Sequence, residues 1–586
     1  MSTIVDADTL LAIDVGSVNT RASLFDVVDG RYRFVATGRS ASTADYPVAD
    51  IGEGIRLALE RVQGVTGRRL IDESDSLIVP ASADGSGTDV FVATASAGPS
   101  LRTIMVGLMP GVSIESARRL ATGTYLNVLD EIGLTDRRRE EEQIDLLLRA
   151  KPDLILLVGG TDGGANESVL RMVDLVAVAA SLFPEGEVPR VVYAGNRQLS
   201  AAVADRLGDQ LPLVLTPNVR PTLGTEDLAP ARLRLAEVIG EVRSMRISGF
   251  EELRQWTGGN LMLTADAVGR VCRYLSQVYD PEKGVMGVDL GASHTTVAAA
   301  FAGDLRLTVC SDLGLGAALP GLLRHSSLEK VTRWLPIDIP DEYVQDYVYN
   351  KAHYPRSVPA ETEEMHLEYA LARQLIRSAL FQARAGWPQG KDSESVLLMP
   401  PLEPIIASGG ALARAPRPGL ATLVLLDALQ PTGVCTLILD PHNLSPALGA
   451  AAEPLPLVAV QVLGSGGFVS LGTVVAPIGR ARQDRPVLKF RLDKEGTGDV
   501  VEDEVRFGQL VVLSLGQGEH GRLTLRPEQG FDLGFGGPGK AGALRVSGGA
   551  VGLIIDARGR PLQLARDGGR RRELNQKWLW DIGALH

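Results

Sequence analysis

An aspartate that ends an apolar run and leads into a turn of glycine and hydroxyl residues is suited to holding a phosphate together with its metal ion. Leu11–Asp26 has that composition. Asp14 closes the run Leu10–Ile13, and Gly16-Ser17 turn the chain. Asn19, Thr20 and Arg21 then lead into a second run through Ala22, Leu24 and Phe25, which the alternation predicts to return as a hairpin strand. Gly16 lets backbone approach an anion closely. The N–H groups and the hydroxyls of Ser17 and Thr20 can donate to phosphate oxygens, and Arg21 adds positive charge. A carboxylate beside a phosphate needs an offsetting cation, so Asp14 implies hydrated Mg²⁺.

The same grammar returns at Gly284–Phe301: an apolar strand, Asp289, Gly291, hydroxyls at Ser293, Thr295 and Thr296, then a second strand. One such turn is common as plain structure. Two copies, each flanked by strands, predict two similar half-domains facing one nucleotide. Asp14 and Asp289 then become the candidate catalytic and metal-side carboxylates, one of them orienting the attacking water. A third segment, Pro404–Leu412, carries a short strand into Gly409-Gly410, where the missing side chains leave room for adenine or ribose. Taken alone, it reads equally well as an ordinary strand-to-helix turn.

Positioning these residues takes most of a long chain. At 586 residues it exceeds one core, and three or four domains are expected. With 45% hydrophobic and 22% charged residues the composition is that of a soluble globular protein. A net charge of −12 argues against nucleic acid or an anionic membrane as the main partner. Three scattered cysteines give neither a disulfide framework nor a metal-ligand spacing, and no apolar run reaches membrane-spanning length; a cytoplasmic location is expected.

Residues 1–95 are expected to form a first half-domain: three strands within 10–40, a helix over Ile51–Val62, and strands at Leu77–Val79 and Val90–Thr94. Residues 96–283 alternate strand and helix, as in a helix-covered parallel sheet, with a helical pattern over Ile114–Ile132. There Asp153–Val158 ends in Gly159–Gly164 before a helix, so Thr161 and Asp162 are candidate anion contacts. A tight turn with Asn166 capping the helix is the other reading. Residues 284–455 form the second half, with a long helix over Glu361–Ala385. The four tyrosines of Tyr343–Tyr354 are expected to pack inward, an aromatic partner surface being the other reading. Residues 456–586 read as a β-rich module closed by a terminal helix.

In this order the three turn segments resemble the phosphate-1, phosphate-2 and adenosine motifs of the actin, sugar-kinase and heat-shock-chaperone ATPase superfamily. Asn19-Thr20-Arg21 is most like the sugar-kinase version. More specific are Ser96–Pro110, Ala121–Tyr125, Lys151–Gly164, Tyr193–Asn196 and Thr216–Pro221, which resemble the glutamate mutase L family, also called MutL or GlmL and unrelated to the mismatch-repair protein of that name. The resemblance implies an α/β fold of duplicated ribonuclease-H-like (actin-like) halves with an α/β insertion and a β-rich C-terminal part. It also implies ATP and Mg²⁺ as cofactors, ATP hydrolysis coupled to conformational change, and an accessory or reactivating role toward an adenosylcobalamin-dependent mutase. The chain has no Asp-x-His-x-x-Gly signature, so it need not bind cobalamin itself. Two departures stand out: Ala292-Ser293-His294 within phosphate-2, and Ser408 where the family often has glycine. The alternatives are a small-molecule kinase of the sugar-kinase type and a nucleotide-switched scaffold.

Overall fold

The computed structural model describes residues 8–184, 186–388 and 398–585. Thr9–Val15 (β1) is buried at every position because it is flanked on both sides. Asn19–Val28 (β2) pairs with it antiparallel and Val90–Ala95 (β4) parallel, while Arg31–Ala41 (β3) extends the meander beyond β2. An apolar run such as Leu10–Ile13 is what a position buried on both faces selects. Leu77 makes a single bridge to Ile71 in place of the strand expected at Leu77–Val79.

Residues 43–52 and 96–255 form one compact unit. Its sheet contains Leu101–Val106 (β5), Leu126–Ile132 (β6), Leu154–Leu157 (β7), Arg190–Tyr193 (β8) and Leu213–Leu215 (β9), in the order β6-β5-β7-β8-β9 and wholly parallel. Ile155, Leu157, Val173, Val176 and Val191 lie in its core. The helical pattern over Ile114–Ile132 resolves into two elements: a helix Ser113–Thr122 capped by Gly123, and then β6. The glycine is the stop signal that periodicity alone overrides.

The other unit comprises the chain through Ser42, residues 53–95 and everything from Trp256 onward. Residues 256–283, assigned from the sequence to the middle region, therefore lie here. Met262–Leu263 (β10) adds to β4, giving a sheet β3-β2-β1-β4-β10. Gly284–Leu290 (β11), Thr295–Phe301 (β12), Asp304–Cys310 (β13), Leu402–Ser408 (β14) and Gly433–Leu439 (β15) repeat the same order as β13-β12-β11-β14-β15. Both sets are an antiparallel three-strand meander whose first strand has a parallel neighbour. This is the duplicated ribonuclease-H-like, actin-like α/β fold.

Val469–Ala476 (β16) continues the second sheet. Pro486–Lys494 (β17) and Val500–Arg506 (β18) pair with each other, and Leu510–Leu513 (β19) precedes His520–Pro527 (β20), Gly542–Ser547 (β21) and Leu553–Asp556 (β22). β16, β22 and β19 extend the second half's sheet, whereas β17, β18, β20 and β21 form a four-stranded sheet of their own. A buried ion network ties this region to the second half. Asp427 accepts from Arg373 Nε at 2.7 Å and Arg558 Nη1 at 2.8 Å, and Asp556 accepts from Arg558 and from Arg560 Nη2 at 2.7 Å.

Two helices cross between the halves. Thr264–Val278 packs on β11, β12 and β13, and Leu444–Ala451 packs on β1 and β4. They touch so closely that a Cβ on Gly449 would sit 2.0 Å from the carbonyl oxygen of Ala267. The tyrosine expectation fails in part. On the helix Asp341–His353, Val344, Val348 and Lys351 take the buried face, and Tyr349 is 60% exposed. Lys351 is held there by Glu368 at 2.7 Å, so a paired cation fills a position an aromatic was expected to occupy. Among the described residues no helix is long and apolar enough to cross a membrane.

Candidate functional site: two acidic turns in one unit

The two halves place their aspartates identically. Asp14 lies opposite Arg21 on β2 and Thr94 on β4, and Asp289 lies opposite Thr296 on β12 and Ser408 on β14. In each case the parallel neighbour donates a hydroxyl to the carboxylate: Thr94 Oγ1 to Asp14 Oδ1 at 2.8 Å, and Ser408 Oγ to Asp289 Oδ1 at 2.7 Å. The turns also match. Gly16 N–H donates to the Asn19 carbonyl at 3.0 Å and Gly291 N–H to the His294 carbonyl at 2.9 Å.

Both crossing helices begin at Asp14. Thr264 Oγ1, in the first residue of one helix, donates to Oδ1 at 3.0 Å; Asn443 Nδ2, capping the other, donates to Oδ2 at 2.9 Å. Arg21 Nη1 approaches the same oxygen at 3.4 Å. Helix starts carry partial positive charge, so their meeting on a buried carboxylate is electrostatically favourable. Asp440, just past β15, is fully buried and accepts from Leu444 N, Ser445 N and Ser445 Oγ.

The carboxyls feel one another. Burial pushes the Asp289 carboxyl up; Ser408 and Arg21 pull it down, and Asp14 and Asp440 raise it further. Burial also raises Asp440, against its own hydrogen bonds and Arg21. Arg21 thus lies within electrostatic reach of Asp14, Asp289 and Asp440, and of a second cation, Arg414.

The remaining expected contacts divide. Ser17, Asn19 and Ser293 are partly exposed at the turns. Asn19 Oδ1 already accepts from Arg39 Nε at 2.8 Å. Thr20 and Thr295 are fully buried at matching positions, and Thr295 Oγ1 donates to the Leu313 carbonyl at 2.7 Å, so its hydroxyl is engaged within the core. Thr20 Oγ1 is buried without a hydrogen-bond partner, and Thr296 is 4% exposed. Gly409 has φ 110° and is pressed against the Leu290 carbonyl, where a Cβ would lie 2.2 Å away, whereas a Cβ on Gly410 would meet open space.

Thr161 and Asp162 belong to the parallel-sheet unit. Asp162 Oδ1 accepts from Arg197 N and Asn218 Nδ2, both at 2.9 Å. The turn is pinned by Asn196, which accepts from Gly163 N and donates to Gly164 O and to Asn166. Ala165, not Asn166, occupies the cap position, and no side chain caps the helix there. Asp162 thus closes its own loop.

Thr94, Thr264, Asp440 and Asn443 were not anticipated from the sequence. Leu437-Ile-Leu-Asp440 did carry a signal, since an apolar strand ending in aspartate is the pattern that flagged Asp14 and Asp289.

The fold and its paired turns define an actin-like protein with two equivalent halves. A family profile described as MutL protein matches residues 10–465, and this chain belongs to that family. It is 26% identical over 494 residues to a protein named "Protein MutL" from Clostridium tetanomorphum, covering 78% of this chain and 98% of that one. Among solved structures it is similar to a nucleotide-free acetone carboxylase (12% identity, 85% of this chain and 81% of that chain, TM-score 0.33). It is also similar to a nucleotide-free diol dehydratase-reactivating factor (10%, 78% and 99%, TM-score 0.28).

Proposed function

We propose that the chain binds MgATP across the two acidic turns and hydrolyses it, and that the resulting change at the crossing helices drives an accessory, reactivating action on an adenosylcobalamin-dependent mutase. The observation that carries this reading is the matched pair Asp14–Thr94 and Asp289–Ser408, joined electrostatically through Arg21. Among the described residues no three His, Cys, Asp or Glu side chains gather to hold a metal directly. Mg²⁺ keeps several waters and takes phosphate oxygens as ligands, so Asp14 and Asp289 would act on it through those waters. Bound there, Mg²⁺ would neutralise phosphate charge. The turns around Gly16-Ser17 and Gly291-Ser293 would cradle the phosphates, and Gly410 would face the adenosine.

The two carboxylates take different parts in this reading. Asp14 is fixed by donors from both crossing helices, so a phosphate at its turn is sensed at their starts. Asp289, whose carboxyl burial raises, would be the one to orient the attacking water. The close crossing at Gly449 and Ala267 then serves as the pivot. The client belongs to the family resemblance, and its test is co-purification. A cobalamin-dependent mutase should be retained by this chain in a nucleotide-dependent way; retention unaffected by ATP, or none, would leave nucleotide binding without a client.

A further inference from the structure

A cavity of about 380 Å³ in the unit that carries the acidic turns shares no residue with them. Arg333, Arg377, Arg566 and Arg571 line it with Trp334, and among its lining residues the acid is Glu329, which is exposed. The guanidiniums of Arg333 and Arg377 lie over the Trp334 indole, 4.9 and 5.8 Å from its centre. Neutral groups hold these cations. Arg333 Nη2 donates to Gln374 Oε1 at 3.3 Å, Arg377 Nη1 to the Asp427 carbonyl at 3.3 Å, and Arg571 Nη1 to the Ala565 carbonyl at 3.3 Å. Arg333 Nε is buried without a partner. The Asp427 carboxylate is already taken by Arg373 and Arg558. Burial, and then Arg377 and Arg571, bring the Arg333 guanidinium down to about 10, and the charge of Glu329 offsets this only in part.

Guanidiniums oriented by carbonyls and an aromatic face keep their forked donors available for phosphate or carboxylate oxygens. The volume suits a small molecule. We propose that this cavity binds a small organic polyanion, bearing phosphate or carboxylate groups, through Arg333 and Arg377 with Trp334 as a flat wall.

Calorimetric titration of the full chain with pyrophosphate and, separately, citrate tests this. At least one should bind, and Arg333→Gln and Arg377→Gln should each weaken it roughly tenfold. Glu329→Gln removes the opposing charge from an exposed side chain and should tighten it, a result misfolding does not produce. Binding of pyrophosphate alone supports a phosphorylated ligand, binding of citrate alone a carboxylate, and binding of both recognition by charge. The proposal is overturned if neither binds at millimolar concentration. It is also overturned if binding is lost in Arg21→Gln but kept in Arg333→Gln, which places the anion at the phosphate turns.

Discussion

Ser408 donates its hydroxyl to Oδ1 of Asp289 at 2.7 Å, from the same register position at which Thr94 serves Asp14. Ser408 is thus the second half's counterpart of Thr94. Replacing Ser408 by glycine removes a donor from a carboxyl that burial already raises. Under the nucleotide reading, Ser408→Gly lowers ATP turnover by about 10- to 150-fold, since one hydrogen bond to a charged group is worth about 1.5–3 kcal/mol. A steady-state phosphate-release assay at fixed pH checks it.

Gly410 separates fold from binding. Its Cβ direction is open, so Gly410→Val should leave the unfolding free energy within about 0.5 kcal/mol of wild type. A branched side chain there would occupy the proposed adenosine position, and MgATP affinity should fall at least tenfold, or about 1.4 kcal/mol. Parallel thermal melts and MgATP titrations read the two effects independently.

At the helix crossing the expectation is the reverse. A side chain at Gly449 meets the Ala267 backbone at 2.0 Å, with no flexible group to give way. Gly449→Val should destabilise the chain by roughly 1–3 kcal/mol through overpacking, measurable by chemical denaturation.

Much of this was legible in the sequence because its signals are local. Asp14, Gly16, Asp289, Gly291 and Gly409-Gly410 stand at strand ends whose apolar runs and turn residues announce them. Thr94, Thr264 and Asn443 reach Asp14 from 80, 250 and 429 residues away, and no periodicity encodes such pairings. The Ile114–Ile132 misreading has a different cause, since an apolar pattern fits a short helix and the strand after it equally well until Gly123 is weighed. Lys351 defeats the expectation for the tyrosine helix because its partner, Glu368, lies on another helix.

The ion network around Asp556 gives a stability test with a defined sign. Opposed by burial but outweighed by Arg558 and Arg560, the Asp556 carboxyl is held below the usual carboxylate range. Its contribution is therefore complete above the unfolded value near 3.8 and is lost as pH falls below it. Asp556→Ala leaves the buried Arg560 without a carboxylate and Arg558 with Asp427 alone, and should cost about 3–5 kcal/mol at pH 7, with a smaller difference toward pH 3. Urea denaturation at both pH values measures it.

Glu403 has the opposite sign. Burial raises its carboxyl above the ordinary 4.5, against a hydrogen bond from Thr436 N and the charge of Lys283. The folded chain then binds its proton more tightly than the unfolded chain, so this contribution is present below pH 4.5 and lost as pH rises through the raised value. Glu403→Gln keeps an acceptor for Thr436 N. Its melting temperature should match wild type near pH 4 and exceed it at pH 8.

The most direct measurement is ATP turnover in Asp14→Asn, Asp289→Asn and the double variant, with circular dichroism confirming that each is folded. If the two turns serve one nucleotide, each single change lowers turnover by about 10²–10³-fold, and the double change is little worse than either alone. Normal turnover in both single variants would contradict the account, because it would mean that neither carboxylate stands at the reacting phosphate.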